Sequence, residues 1–117
     1  MTVRRIVANI ATDTLPEVRQ FYADLFGLEV AMDHGWIVTL TSPETARVQL
    51  GIASEGGSGT PVPDLSIEVD NLDETLARAR TLGHAIEYGP ATEPWGVRRF
   101  FLRDPAGKLL NILAHDD

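Results

Sequence analysis

The groups that could do chemistry in this 117-residue chain are oxygen donors and aromatic faces. Asp64, Ser66 and Glu68 alternate with Leu65, Ile67 and Val69, so a strand here sets two carboxylates and a hydroxyl on one face. Arg47 and Gln49 alternate with Val48, Leu50 and Ile52, Asn9 lies between Ala8 and Ile10, and Asn111 lies between Leu110 and Ile112. The same alternation puts Thr39, Arg99 and Phe101 on the polar face of their strands. Two carboxylates on one buried face repel each other, and a bound cation or a neighbouring Arg47 or Arg99 relieves that repulsion. The chemistry on offer is therefore recognition of a cationic or polar ligand, or an oxygen-rich site for Mg or Mn. Trp36, Trp95 and Phe101 add flat faces that stack on a ring or meet a cation, although a tryptophan more often serves packing.

Other chemistries are missing from the pattern. There is no cysteine, hence no disulfide framework and no thiol chemistry. His34 sits in an Asp-His-Gly turn, His84 follows a glycine and is expected at the surface, and His115 lies near the end of the sequence. No HxH, HExxH or Ser/His/Asp spacing is present. In so acidic a chain Arg98 and Arg99 are expected to pair with surface carboxylates, with at most one turned inward. The net charge of −7 argues against nucleic acid and anionic membranes as partners. No apolar run approaches the roughly 20 residues that span a bilayer. No signal-peptide pattern opens the sequence, so a cytoplasmic location is expected.

The elements that must position these residues can be read in order. Hydrophobic residues make up 44% of the chain, enough for the core of one compact domain. Arg4–Ala11 reads as a strand, and Thr14-Leu15-Pro16-Glu17 as a capping box opening a helix that stops at Gly27. Leu28–Met32, Trp36–Thr41 and Arg47–Ile52 read as strands. Residues 54–63, SEGGSGTPVP, read as a linker. The pattern then restarts. Asp64–Val69 reads as a strand, and Asn71 caps a helix whose stripe is Leu72, Leu76, Ala79 and Leu82, stopped by Gly83. His84–Tyr88 is strand-like, and Gly89–Pro94 is a loop. A closing hairpin joins Val97–Leu102 to Lys108–Leu113 through Asp104-Pro105-Ala106-Gly107, which has the Pro and Gly placement of a type I turn. The halves superpose: Gly27 falls on Gly83, and Trp36–Leu50 falls on Arg98–Ile112 without a gap. This is an internal duplication of a strand–helix–three-strand unit, with module 1 at residues 1–53, the linker at 54–63 and module 2 at 64–117.

Such a doubled unit resembles the vicinal oxygen chelate superfamily of glyoxalases, bleomycin-resistance proteins and extradiol dioxygenases. The segments Phe21-Tyr22-Ala23-Asp24-Leu25-Phe26-Gly27-Leu28 and Phe101-Leu102-Arg103-Asp104-Pro105-Ala106-Gly107 carry the resemblance. It implies an α+β fold of two βαβββ modules whose mixed sheet curls into a cup around a ligand cavity. It also implies a homodimer. The cup-lining set is then Asn9, Arg47, Gln49, Asp64, Ser66, Glu68, Arg99, Phe101 and Asn111, with Trp36 and Trp95 as further aromatic candidates. Metal-dependent relatives place ligands at positions that fall on Ile6 or Val7, Gln49, Asp64 and Asn111. The first of these has no donor, and neutral Asn and Gln are poor ligands for Zn or Fe. Two readings follow. One is a metal-independent protein that sequesters a small molecule and needs no cofactor. The other is a metal-dependent lyase, isomerase or dioxygenase with an atypical site.

Overall fold

A computed structural model of the protein describes residues 7–45, 49 and 51–115. Two helices, α1 (Leu15–Phe26) and α2 (Leu72–Thr81), accompany six strands: β1 (Glu29–Asp33), β2 (Val38–Thr41), β3 (Leu65–Glu68), β4 (Ile86–Thr92), β5 (Val97–Arg103) and β6 (Leu109–His115). β1 and β2 form an antiparallel pair, and the other strands form a mixed sheet in the order β3-β6-β5-β4, in which only β3 and β6 run parallel. The fold is α+β. No helix among the described residues is long and apolar enough to cross a membrane.

The second half forms the expected strand, helix and three strands in full. Asn71 caps α2, its Oδ1 accepting the Glu74 N–H at 3.0 Å. Leu72, Leu76 and Ala79 recur at helical spacing and are buried. Leu82, expected in the same stripe, lies just past the helix and is 42% exposed. The sheet presents Phe100, Leu102, Leu110 and Ile112 to this helix and to Val18, Phe21, Tyr22 and Leu25 of α1. Each of the four sheet residues is fully buried. Truncating one to alanine costs about 2–5 kcal/mol.

In the first half α1 forms as expected, ending at Gly27 in the left-handed conformation with its N–H on the Ala23 carbonyl at 2.9 Å. Its start differs. The Thr14 hydroxyl meets that of Thr12 at 3.1 Å and caps no helix N–H, so the expected capping box does not form. Residues 7–11, expected in a strand, are irregular, and so are the described residues 49, 51 and 52 of the expected strand at 47–52. A strand exists only where a neighbour takes up its backbone hydrogen bonds, and 7–11 have no such neighbour among the described residues. The remaining residues of both expected strands lie outside the described set.

Two connections differ from their sequence reading. β4 runs on through Gly89 and Pro90 to Thr92, where a loop was expected. Its pairing with β5 shifts register between Ile86 and Tyr88 and again between Tyr88 and Ala91, and an edge strand with bulges is where a sheet tolerates proline. Gly89 has φ +83, and a Cβ there would stand 2.5 Å from the Arg99 carbonyl oxygen, so only glycine fits this bulge. The second difference is in the stretch 54–63. Residues 56–60 close a tight turn, with Gly56 N–H on the Thr60 carbonyl at 2.8 Å and Thr60 N–H on the Gly57 carbonyl at 3.0 Å. This turn is strapped onto the sheet.

Candidate binding site

The register of the four-stranded sheet puts a second row of residues on the face away from the helices. Ser66 is opposite Asn111, Asn111 opposite Phe101, and Phe101 opposite Tyr88. One step along, Glu68 is opposite Leu113 and Leu113 opposite Arg99. This is the polar face expected from alternation, and it brings Ser66, Glu68, Arg99, Phe101 and Asn111 together. Arg98 points the other way and meets Asp73 at 2.5 Å. Of the two adjacent arginines, one turns inward.

Arg99 is the centre of the site. Its side chain is 4% exposed. Nη1 donates to the Gly56 carbonyl at 2.8 Å and Nη2 to the Gly57 carbonyl at 3.2 Å. Nε lies 3.4 Å from the Glu93 Oε1 without hydrogen-bond geometry. The guanidinium carbon stands 4.8 Å from the centre of the Phe101 ring, 5.0 Å from Trp95 and 5.4 Å from Tyr88, within cation–π range of all three. Glu93 is equally buried. Its carboxylate accepts the Ser58 hydroxyl at 2.5 Å and the Tyr88 hydroxyl. The Ser58 bond, then the Tyr88 bond, hold the carboxyl below the usual glutamate range against the opposing effect of burial, and Arg99 adds to them. The group is therefore ionised at neutral pH.

Asn111 is 8% exposed. Its Nδ2 donates to the Ser66 hydroxyl at 3.1 Å, and its Oδ1 has no partner among the described residues. A buried acceptor left unpaired costs about 1–3 kcal/mol, so a ligand N–H placed there would be well received. Trp95 is half exposed, with one part of its ring on Arg99 and the rest open.

Glu68 shares this sheet face but lies open to solvent on the edge strand β3, and the remaining candidates stand apart. Asp64 and Glu68 are exposed, so the buried repulsion expected of them does not arise. Asp64 Oδ2 accepts the Leu109 N–H at 2.8 Å, and Glu68 Oε2 sits 3.0 Å from His115 Nδ1. Trp36 is 79% exposed in the β1–β2 turn. Asn9 and Gln49 are exposed in irregular segments. Arg47 lies outside the described residues. His34 is exposed, as a turn residue should be. His84, expected at the surface, is half-buried because its ring packs 4.7 Å from Phe21. A cavity of about 530 Å³ lies on the other half, walled by residues such as Asn9, Ile10, Val18, Tyr22 and Leu40. Its walls are mostly apolar and include none of the residues around Arg99.

Among the described residues the acidic and imidazole side chains are engaged separately. No group of three or more His, Asp or Glu converges among the described residues. Asp64 is taken by a backbone N–H and Glu68 by His115, while the buried Glu93 faces a guanidinium.

Sequence reasoning missed Ser58, Tyr88 and Glu93. A signal for Glu93 was present. Glu93-Pro94-Trp95-Gly96 repeats the acid-Pro-X-Gly pattern of Asp104-Pro105-Ala106-Gly107. Both close the same way, Gly96 N–H on the Glu93 carbonyl at 3.2 Å and Gly107 N–H on the Asp104 carbonyl at 2.9 Å.

The family model for the Glyoxalase/Bleomycin resistance protein/Dioxygenase superfamily matches residues 4–112. Among solved structures, TnmS3, an antibiotic binding protein from Streptomyces sp. CB03234, is 22% identical with a TM-score of 0.68, covering 99% of this chain and 97% of its own. TioX from Micromonospora sp. ML1 is 18% identical with a TM-score of 0.63, covering 96% of each chain. Lactoylglutathione lyase from Agrobacterium tumefaciens is 18% identical with a TM-score of 0.65, covering 97% of this chain and 92% of its own. At these identities the likeness is one of fold. No functionally curated protein sequence matches the chain.

Proposed function

The chain belongs to the Glyoxalase/Bleomycin resistance protein/Dioxygenase superfamily, and within it we propose a metal-independent protein that binds and sequesters a small molecule. The observation that carries this reading is the pairing of a fixed platform with an open face. Trp95 is held over Arg99, which is itself fixed by two carbonyls and a carboxylate, yet half of the tryptophan remains exposed. A ring stacked there loses little of the protein's own freedom, because the platform is already ordered. Asn111 Oδ1, beside Phe101, supplies an acceptor for a ligand N–H. Asp64 and Glu68 are exposed on the same sheet in a chain of net charge −7, which draws cations to the site. The ligand is therefore a planar molecule with a cationic or N–H-bearing group.

TnmS3, an antibiotic binding protein, supports a binding role for this fold. The alternative of a metal-dependent lyase, isomerase or dioxygenase needs converging donors, and the engagement of Asp64 and Glu68 weighs against it. Two further readings accompany the proposal. The chain works as a homodimer, supported by the edges β3 and β4 of the four-stranded sheet, which no strand covers among the described residues, and it resides in the cytoplasm, a location suited to a chain without cysteine. Calorimetric titration of planar cationic compounds in the presence of chelator tests the binding reading.

A further inference from the structure

The surroundings of Arg99 are those of a receptor for a cation. Three aromatic rings, Tyr88, Trp95 and Phe101, lie within 5.4 Å of the guanidinium carbon. Two backbone carbonyls accept its Nη protons, and the Glu93 carboxylate stands 3.4 Å from Nε. The groups that touch it are acceptors or π faces. We propose that Tyr88, Trp95, Phe101, Glu93 and the carbonyls of the 56–60 strap form a cation-binding aromatic cage, which the chain fills with its own Arg99. The ligand class is a compact planar or quaternary cation, such as guanidinium or tetramethylammonium.

Three observations separate this from an ordinary salt bridge. First, the Arg99–Glu93 pair is not the two-pronged fork that arginine and carboxylate favour. The Nη donors go to the strap, and Nε has no hydrogen-bond partner among the described residues. Glu93 is instead oriented by its hydrogen bonds from Ser58 and Tyr88. Second, the strap is shaped to the cage. Gly57 has φ +85, and a Cβ there would lie 2.8 Å from the Trp95 ring, so glycine is what lets this backbone close over the cation and the indole together. Third, the strap is fastened by Ser58–Glu93 and by Arg99 itself. A segment held by a few polar bonds opens at low free energy. The cage thus has an internal occupant and a door made of the same residues. The assignment stands or falls on small cations and does not depend on the ligand of the proposed binding face.

The test has two arms. In the wild-type protein, nitrogen-15 NMR reads the Arg99 Nε–H signal, which three nearby rings should shift away from those of the exposed Arg98 and Arg103. In Arg99→Ala, thermal melting is compared in guanidinium chloride and in sodium chloride at equal millimolar concentration. The expected result is a midpoint about 4 °C higher in guanidinium, with no such difference in wild type. Where Arg99→Ala does not fold in sodium chloride, the readout is recovery of native circular dichroism on adding guanidinium. Equal behaviour of the variant in the two salts overturns the proposal. So does a wild-type Arg99 Nε–H signal that coincides with those of Arg98 and Arg103.

Discussion

Glu93 and Asp104 occupy equivalent places at the two ends of β5. Each opens an acid-Pro-X-Gly turn, each is 5% exposed, and each accepts a tyrosine hydroxyl: Glu93 from Tyr88, and Asp104 from Tyr22 at 2.7 Å. The Glu93 end serves the candidate site. The Asp104 end ties α1 of the first half to the closing hairpin of the second, across 82 positions of sequence. Asp104 also accepts the Lys108 N–H at 2.8 Å, which closes its own turn.

Removing the Tyr22 hydroxyl should therefore loosen the join between the halves. Burial, followed by the hydrogen bond to Asp104, pushes the Tyr22 phenol far above its ordinary range, so it remains a donor at any physiological pH. Tyr22→Phe leaves a buried carboxylate oxygen unpaired and should cost about 1–3 kcal/mol in urea unfolding. A loss within experimental error would show that the contact contributes nothing to stability.

Glu93→Gln should show the pH signature of a carboxyl with a lowered pKa. Such a group stabilises the fold above its unfolded-state pKa, near the usual 4.3. That contribution fades as pH falls through its lower folded-state value. The wild type should thus exceed Glu93→Gln in stability at neutral pH, and the gap should shrink as the solution becomes strongly acidic. Urea midpoints across the acidic range measure this, and a gap that widened on acidification would refute it.

Gly57→Ala should disturb the strap while sparing the helical core. The new methyl meets the Trp95 ring at 2.8 Å from a backbone with φ +85. A cost of about 1–2 kcal/mol is expected, together with faster amide exchange at residues 56–60 and unchanged exchange in β5 and β6. Protection in the strap equal to that of wild type would show that it relaxes without loss.

Light scattering should give twice the chain mass at micromolar concentration, as the edges of the four-stranded sheet, uncovered among the described residues, suggest. A monomer mass would remove the homodimer from the account.

Much of this molecule was legible because the closing hairpin obeys strict rules. Alternation set Phe100, Leu102, Leu110 and Ile112 against the helices, and by the same count set Arg99, Phe101 and Asn111 on the opposite face. The two segments that carried the family resemblance, around Tyr22 and Asp104, touch each other in space. The cage was not legible, because its parts come from segments without period. Ser58 lies in a Gly/Ser/Pro stretch that composition reads as loose, and Tyr88 sits beside a bulge where alternation lapses. Asp64 and Glu68 were overvalued for a different reason. Alternation assigns a face but says nothing of depth, and on the edge strand β3 that face is open to solvent.

The sheet face built around Trp95 and Arg99 is expected to bind a planar cationic molecule without metal. This is measured most directly by calorimetric titration of planar aromatic cations that do not chelate metal into wild type and Trp95→Ala, each with EDTA and with added divalent metal. Binding should be saturable in EDTA, unchanged by metal, and about tenfold weaker in Trp95→Ala, a loss of ~1.4 kcal/mol. Binding that appears only when divalent metal is added, or that is indifferent to loss of Trp95, would contradict it.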